Sequence, residues 1–211
     1  MQDLRNPLLV TGMLLYVFIP GSFMGISMAN VFFFHDVLGM SAVKIGLLML
    51  PFSIGALISL RLVGQFFNRF GARPLLITGM TSFFLAIAML CQVHSGDQFT
   101  YLLVIYFMFG VGSSLVSGAA QTMAMSHISN QKMAKVSALW NLNRQMAFSL
   151  GVAFFTMILQ IVLALGGVTL EASSQKEIII HAFHHLYLVS LVVTLLPLWL
   201  VTKINMNIYG V

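Results

Sequence analysis

Long apolar runs broken by short polar stretches run the length of this chain, and the run lengths decide what each can be. Six of them, at about 7–34, 42–67, 74–93, 99–126, 136–165 and 178–202, reach the roughly 20 residues that a helix needs to cross a bilayer. Inside lipid only helices and closed barrels satisfy their own backbone. Barrel strands are segments of about ten residues with alternating polarity, and these runs are longer and continuously apolar. The pattern predicts an all-α membrane protein with six transmembrane helices. Ser41 is placed to N-cap the second helix, and Pro74 suits the first turn of the third. No linker or low-complexity stretch separates the runs, so residues 1–211 are expected to form a single six-helix bundle.

Composition removes the soluble alternative. The chain is 59% hydrophobic and 7% charged, against roughly 25% charged for a soluble domain. A soluble fold of this length lacks the interior to hide that much apolar surface. The net charge of +5 has a topological explanation that needs no nucleic acid. With both termini cytoplasmic, the inner side receives Arg5, Arg69, Arg73, Lys132, Lys135 and Lys203, whereas the outer side receives Lys44 and Lys176. That asymmetry follows the positive-inside rule. Asp36, Asp97, Glu171 and Glu177 fall outside, and Arg61 and Arg144 lie near inner helix ends, where long side chains snorkel. Cys91 has no second cysteine to pair with and is expected to pack. The start of the chain does not read as a cleaved signal, since Asp3 interrupts the basic region and the following apolar run is too long.

Small residues recur four apart at Gly21, Gly25 and Ala29, at Gly55 and Ser59, and at Gly110 and Ser114. This spacing lets helix backbones approach closely in lipid. Pro20, Pro51 and Pro197 fall inside the runs and each removes a helical hydrogen bond. No aspartate or glutamate is expected within a span. Glu177, His181, His184 and His185 are spaced three and four apart, so they share a face at the outer end of the sixth helix. That face suits proton or metal binding, with interfacial residues at a helix end as the plainer alternative.

The stretch Gly64-Gln65-Phe66-Phe67-Asn68-Arg69-Phe70-Gly71-Ala72-Arg73 resembles the loop signature between the second and third helices of a major facilitator superfamily half. The match rests on Gly64, Arg69, Gly71 and Arg73; Asn68 stands where the family has an aspartate, and Ala72 replaces a basic residue. The segment from Ser137 to Ala153, with Arg144-Gln145 and Gly151-Val152-Ala153, is similar to the fifth helix in the C-terminal half of drug:proton antiporters of the fourteen-span branch. Asp3-Leu4-Arg5-Asn6-Pro7 resembles the lead into that half. The resemblance implies proton-coupled efflux of small molecules by alternating access, at a plasma (inner) membrane, without a cofactor. It implies a substrate path between two halves, for which the polar candidates here are Asn30, Ser114, Ser117, Gln121, Asn141, Arg144 and Gln145. Gly71 is expected to turn the inner loop, and Gly64 to admit a neighbouring helix. The partners implied are the lipid bilayer, a small-molecule substrate, and an N-terminal half or second subunit that supplies the proton carrier.

Two other classes fit the pattern. One is a structural membrane subunit without transport. The other is an intramembrane serine protease, with Ser114 and His184 as the pair. Counting along the two helices separates that pair by roughly 13 Å in depth, too far for a nucleophile and its base. A vague echo relates the first three spans to the last three: the first and fourth are rich in small residues, and the second and fifth border basic inner loops.

Overall fold

The computed structural model describes residues 7–126, 128–167 and 176–203. The placements of Arg5, Glu171 and the segment 3–6 lie outside them, as do the side chains of Lys176 and Lys203. Among the described residues there are six long helices and no strand: α1 (Pro7–Val37), α2 (Ala42–Phe70), α3 (Ala72–Leu90), α4 (Phe99–Met125), α5 (Asn130–Leu165) and α6 (Lys176–Lys203). Each is long and apolar enough to cross a membrane.

The helices differ from the expected spans in instructive places. Two π turns, Val17–Gly21 and Phe33–Val37, carry α1 three residues past its expected end. Pro20 sits in the first, where its missing N–H breaks the α ladder and a wider turn absorbs the register shift. The second closes with Leu38 N–H on the Phe33 carbonyl at 3.0 Å. Asp36 therefore belongs to the last turn of α1, exposed and 2.7 Å from His35, rather than to the loop beyond it. The hydroxyl of Ser41 caps α2 by accepting from Lys44 N–H at 3.4 Å. α5 begins at Asn130 instead of 136, because the Ser129 carbonyl accepts from Lys132 and Met133 N–H and starts the helix early.

Glycine contacts set the closest seams. A Cβ at Gly21 would lie 2.8 Å from the Ala147 carbonyl, and one at Gly25 or Gly151 would collide with the facing backbone of the other helix. α1 and α5 therefore touch backbone to backbone. Gly55 and Gly110 do the same for α2 and α4, against the Phe107 and Phe52 carbonyls. Such small-residue seams replace the hydrophobic effect, which lipid does not supply between helices.

Burial repeats with a period of three helices. The apolar windows of α1, α2 and α3 are 56%, 22% and 44% covered; those of α4, α5 and α6 are 50%, 17% and 39% covered. α1 and α4 are thus the most covered helices, α3 and α6 intermediate, and α2 and α5 the least covered. In α2 and α5 large apolar side chains such as Leu57, Leu60, Leu142 and Met146 stand more than half exposed.

Candidate functional site

The polar residues divide into four places. On α4, Ser114 and Ser117 are half-buried and Gln121 is exposed. Ser117 donates to the Ser114 carbonyl at 3.3 Å, so its hydroxyl is tied to its own helix. On α5, Asn141, Arg144 and Gln145 are exposed on one face. Asn143, which spacing did not single out, turns the other way and donates to the Met13 carbonyl at 3.3 Å. It helps to clamp α5 to α1, together with the edge-on contact of Tyr16 and Trp140 at 5.4 Å.

Arg144 forms no salt bridge among the described residues; its electrostatic neighbour is the Tyr16 hydroxyl. It precedes the end of α5 at Leu165 by 21 residues, or about 32 Å of helix, close to the thickness of the hydrocarbon layer. With the end of α5 at one face of the membrane, the guanidinium would lie near the other, where snorkelling relieves much of the desolvation cost.

Asn30 occupies a different setting from the other path candidates. It is fully buried between α1, α4 and α6. The Tyr187 hydroxyl donates to its Oδ1 at 2.7 Å, and its Nδ2 donates to the Tyr106 hydroxyl at 3.4 Å. The three residues form a polar bridge inside an aromatic cluster that includes Phe33, Phe34 and Phe183. No local pattern marks Tyr106 or Tyr187 as its partners, because they lie 76 and 157 residues away.

The signature segment is almost entirely helical. α2 ends at Phe70 and α3 begins at Ala72, so the connection expected over Asn68–Arg73 shrinks to Gly71 alone. Gly71 N–H donates to the Phe67 carbonyl at 2.8 Å. Its φ of 76° is positive as expected, but ψ is −177°, the extended glycine-only region rather than the left-handed helix. Pro74 is the third residue of α3, still among the N–H groups that a helix leaves unbonded. Asn68 and Arg69 are exposed and Arg73 half-buried; the Arg69 guanidinium stands 5.2 Å from the Phe70 ring. Gly64 departs from expectation. Among the described residues nothing lies within 4 Å of its would-be Cβ, so none of their helices approaches that position.

At the other end, Glu177, His181 and His185 are exposed and His184 is half-buried. A ring nitrogen of His184 hydrogen-bonds the Val93 carbonyl at 3.1 Å. The ring lies 4.7 Å from that of His94 and 6.3 Å from that of His181. The expected face on α6 is thus joined by His94 from the α3–α4 loop, a neighbour that spacing along α6 cannot show. Among the described residues no group of three or more His, Cys, Asp or Glu side chains has the geometry to hold a metal. His184 is engaged with Val93 rather than Ser114, so the protease pair is not assembled.

The Major Facilitator Superfamily pattern matches residues 2–152. The chain is similar to two proteins of Bacillus subtilis (strain 168). One is the uncharacterized MFS-type transporter YhcA, at 29% identity over 126 residues, covering 60% of this chain and 24% of that protein. The other is the uncharacterized MFS-type transporter YcnB, at 22% identity over 161 residues, covering 76% of this chain and 33% of that protein. The chain thus spans about a quarter to a third of the length of these curated relatives.

Proposed function

The chain belongs to the Major Facilitator Superfamily, and on that premise we propose that it forms one six-helix half of a secondary transporter. The observation that carries this reading is the pair of uncovered helices. α2 and α5 bury only 22% and 17% of their apolar windows, while the polar side chains of Asn141, Arg144 and Gln145 share the exposed surface of α5. A surface that mixes uncovered apolar and polar positions suits contact with a second half around a water-lined path better than contact with lipid alone. Transport then proceeds by rocking of the halves about a site near mid-membrane.

Within this reading the transporter is a drug:proton antiporter of the fourteen-span branch in a plasma (inner) membrane, with both termini cytoplasmic. Arg69 and Arg73, at the α2–α3 turn, and Lys132 and Lys135, at the start of α5, fall on one side under that topology and support it. Ser114, Gln121, Asn141, Arg144 and Gln145 line the path. Gly64, open on its helix, is where a helix of the other half approaches. The proton carrier resides in that half. Ethidium efflux from cells expressing the full reading frame tests the proposal. Efflux that collapses with the proton gradient, and falls at least severalfold in Arg144→Ala at equal protein level, is the expected result. Cells that do not export the dye despite normal protein level point to a structural membrane subunit instead.

A further inference from the structure

Among the described residues six polar side chains are buried: Ser22, Asn30, Ser59, Ser113, Ser190 and Thr194. Five of them hydrogen-bond. Asn30 bridges two tyrosines, and the other four donate to backbone carbonyls at 2.7–2.9 Å. The Ser22 hydroxyl has no hydrogen-bond partner among the described residues, although the residue is only 3% exposed; its backbone N–H donates to the Ile19 carbonyl. No side-chain oxygen among the described residues is both sealed from contact and unpaired. What little of Ser22 remains accessible therefore includes its hydroxyl.

That hydroxyl lies in a groove of about 370 Å³ formed by α1, α5 and α6. Its other walls are apolar, with Phe18 on α1, Leu150 and Phe154 on α5, and Val193 and Leu196 on α6. Leu150, Phe154 and Leu196 are 54%, 41% and 53% exposed and form an open rim. Ser22 follows directly on the π turn Val17–Gly21, and its hydroxyl does not donate back into its own helix, as serine hydroxyls in lipid-exposed helices ordinarily do.

Depth selects the occupant. Ser22 is the middle residue of α1 (Pro7–Val37), so it sits close to the bilayer centre. A phospholipid offers only methylenes and methyls at that level, and these leave the hydroxyl unpaired at a cost. A ligand that fits must bring its polar atom to mid-membrane within an apolar body. The volume lies in the range of small-molecule sites, and three phenylalanines, Phe18, Phe154 and Phe155, line it. We infer that this groove binds a compact aromatic lipophile with a single hydrogen-bonding heteroatom, taken up laterally from the bilayer. The site is distinct from the polar face of α4 and α5, and binding there does not depend on the transport reading.

The test uses the protein purified from its native membrane and placed in nanodiscs, titrated with N-phenyl-1-naphthylamine against empty nanodiscs. The expected result is saturable fluorescence enhancement beyond partitioning into lipid. It is abolished by Val193→Trp, or by Leu196→Trp at the exposed rim should the first variant fail to fold. Ser22→Ala is expected to weaken the amine by roughly three- to tenfold, the share of one hydrogen bond, and to leave the hydrocarbon 1-phenylnaphthalene unchanged. Enhancement that is linear in lipid and indifferent to both tryptophans overturns the site. Equal affinities of the amine for the native protein and Ser22→Ala overturn the role of the hydroxyl. Binding by the isolated chain but not by the intact protein means that a protein helix fills the groove, and this too overturns the inference.

Discussion

Replacing Asn30 by leucine isolates what the buried polar bridge contributes. Asn30 accepts from Tyr187 at 2.7 Å and donates to Tyr106 at 3.4 Å, and both tyrosines are essentially inaccessible. Leucine removes both bonds at once and leaves two phenol hydroxyls in an apolar interior. An unpaired buried polar group costs about 1–3 kcal/mol, while a single interhelical bond in a membrane protein averages about 0.6 kcal/mol. Two stranded hydroxyls therefore dominate two lost bonds, and Asn30→Leu is expected to destabilise by about 2–4 kcal/mol. In a Tyr106→Phe/Tyr187→Phe background it is the buried Asn30 amide that is left unpaired, so the same substitution is expected to be neutral or stabilising, by up to about 1–3 kcal/mol. The assay is reversible unfolding in lipid–detergent micelles by SDS titration, followed by tryptophan fluorescence and closed as a double-mutant cycle. A cost of Asn30→Leu that is the same in both backgrounds refutes the reasoning, because it makes packing rather than hydrogen bonding the source of the effect.

Other consequences follow from single positions. Gly151→Val forces a side chain into the Gly21 backbone, and is expected to open the α1–α5 seam and lower folded yield severalfold, whereas Gly64→Ala, which meets nothing within 4 Å, should leave the yield of the chain unchanged; size-exclusion chromatography compares them. Gly71→Ala puts a side chain at φ 76° and ψ −177° and is expected to cost about 1–3 kcal/mol, seen as a lower SDS midpoint. Burial pushes the Cys91 thiol up from its usual value of 9.0, so less thiolate is present near neutrality and maleimide labelling should be slow. The labelling rate should keep rising past pH 9, where an ordinary thiol levels off; a plateau at the ordinary value contradicts the burial.

The helices were legible because each run had to cross a membrane, and run length alone fixes that. Ser41 was legible as a cap for the same local reason. The ends of helices were less so. His35, Asp36, Asn130, Gln131, Lys132 and Lys135 interrupt the apolar runs, yet backbone bonds such as Leu38 N–H to Phe33 and Lys132 and Met133 N–H to Ser129 carry the helices through them. The glycine seams were legible as spacing, but the partner of each was not, since Gly25 says nothing of Gly151. The candidate site shows the same division. Face-sharing along one helix, as in Asn141 and Gln145 or His181 and His184, follows from period. The approach of His94 to His184, the two tyrosines around Asn30 and the unpaired hydroxyl of Ser22 depend on how distant helices meet, and no local pattern encodes that.

The central claim is that the half-buried and exposed polar positions on α4 and α5 border a water-lined path shared with a second half. Its most direct test is water accessibility of Ser114→Cys in the full-length protein, in a Cys91→Ser background, with a membrane-impermeant maleimide applied to right-side-out and inside-out vesicles. Val192→Cys, on the exposed surface of α6, serves as the lipid-facing reference. The account predicts that Ser114→Cys labels from at least one side and that Val192→Cys labels from neither. Equal protection of both positions from both sides would contradict it, by placing Ser114 in a dry interface.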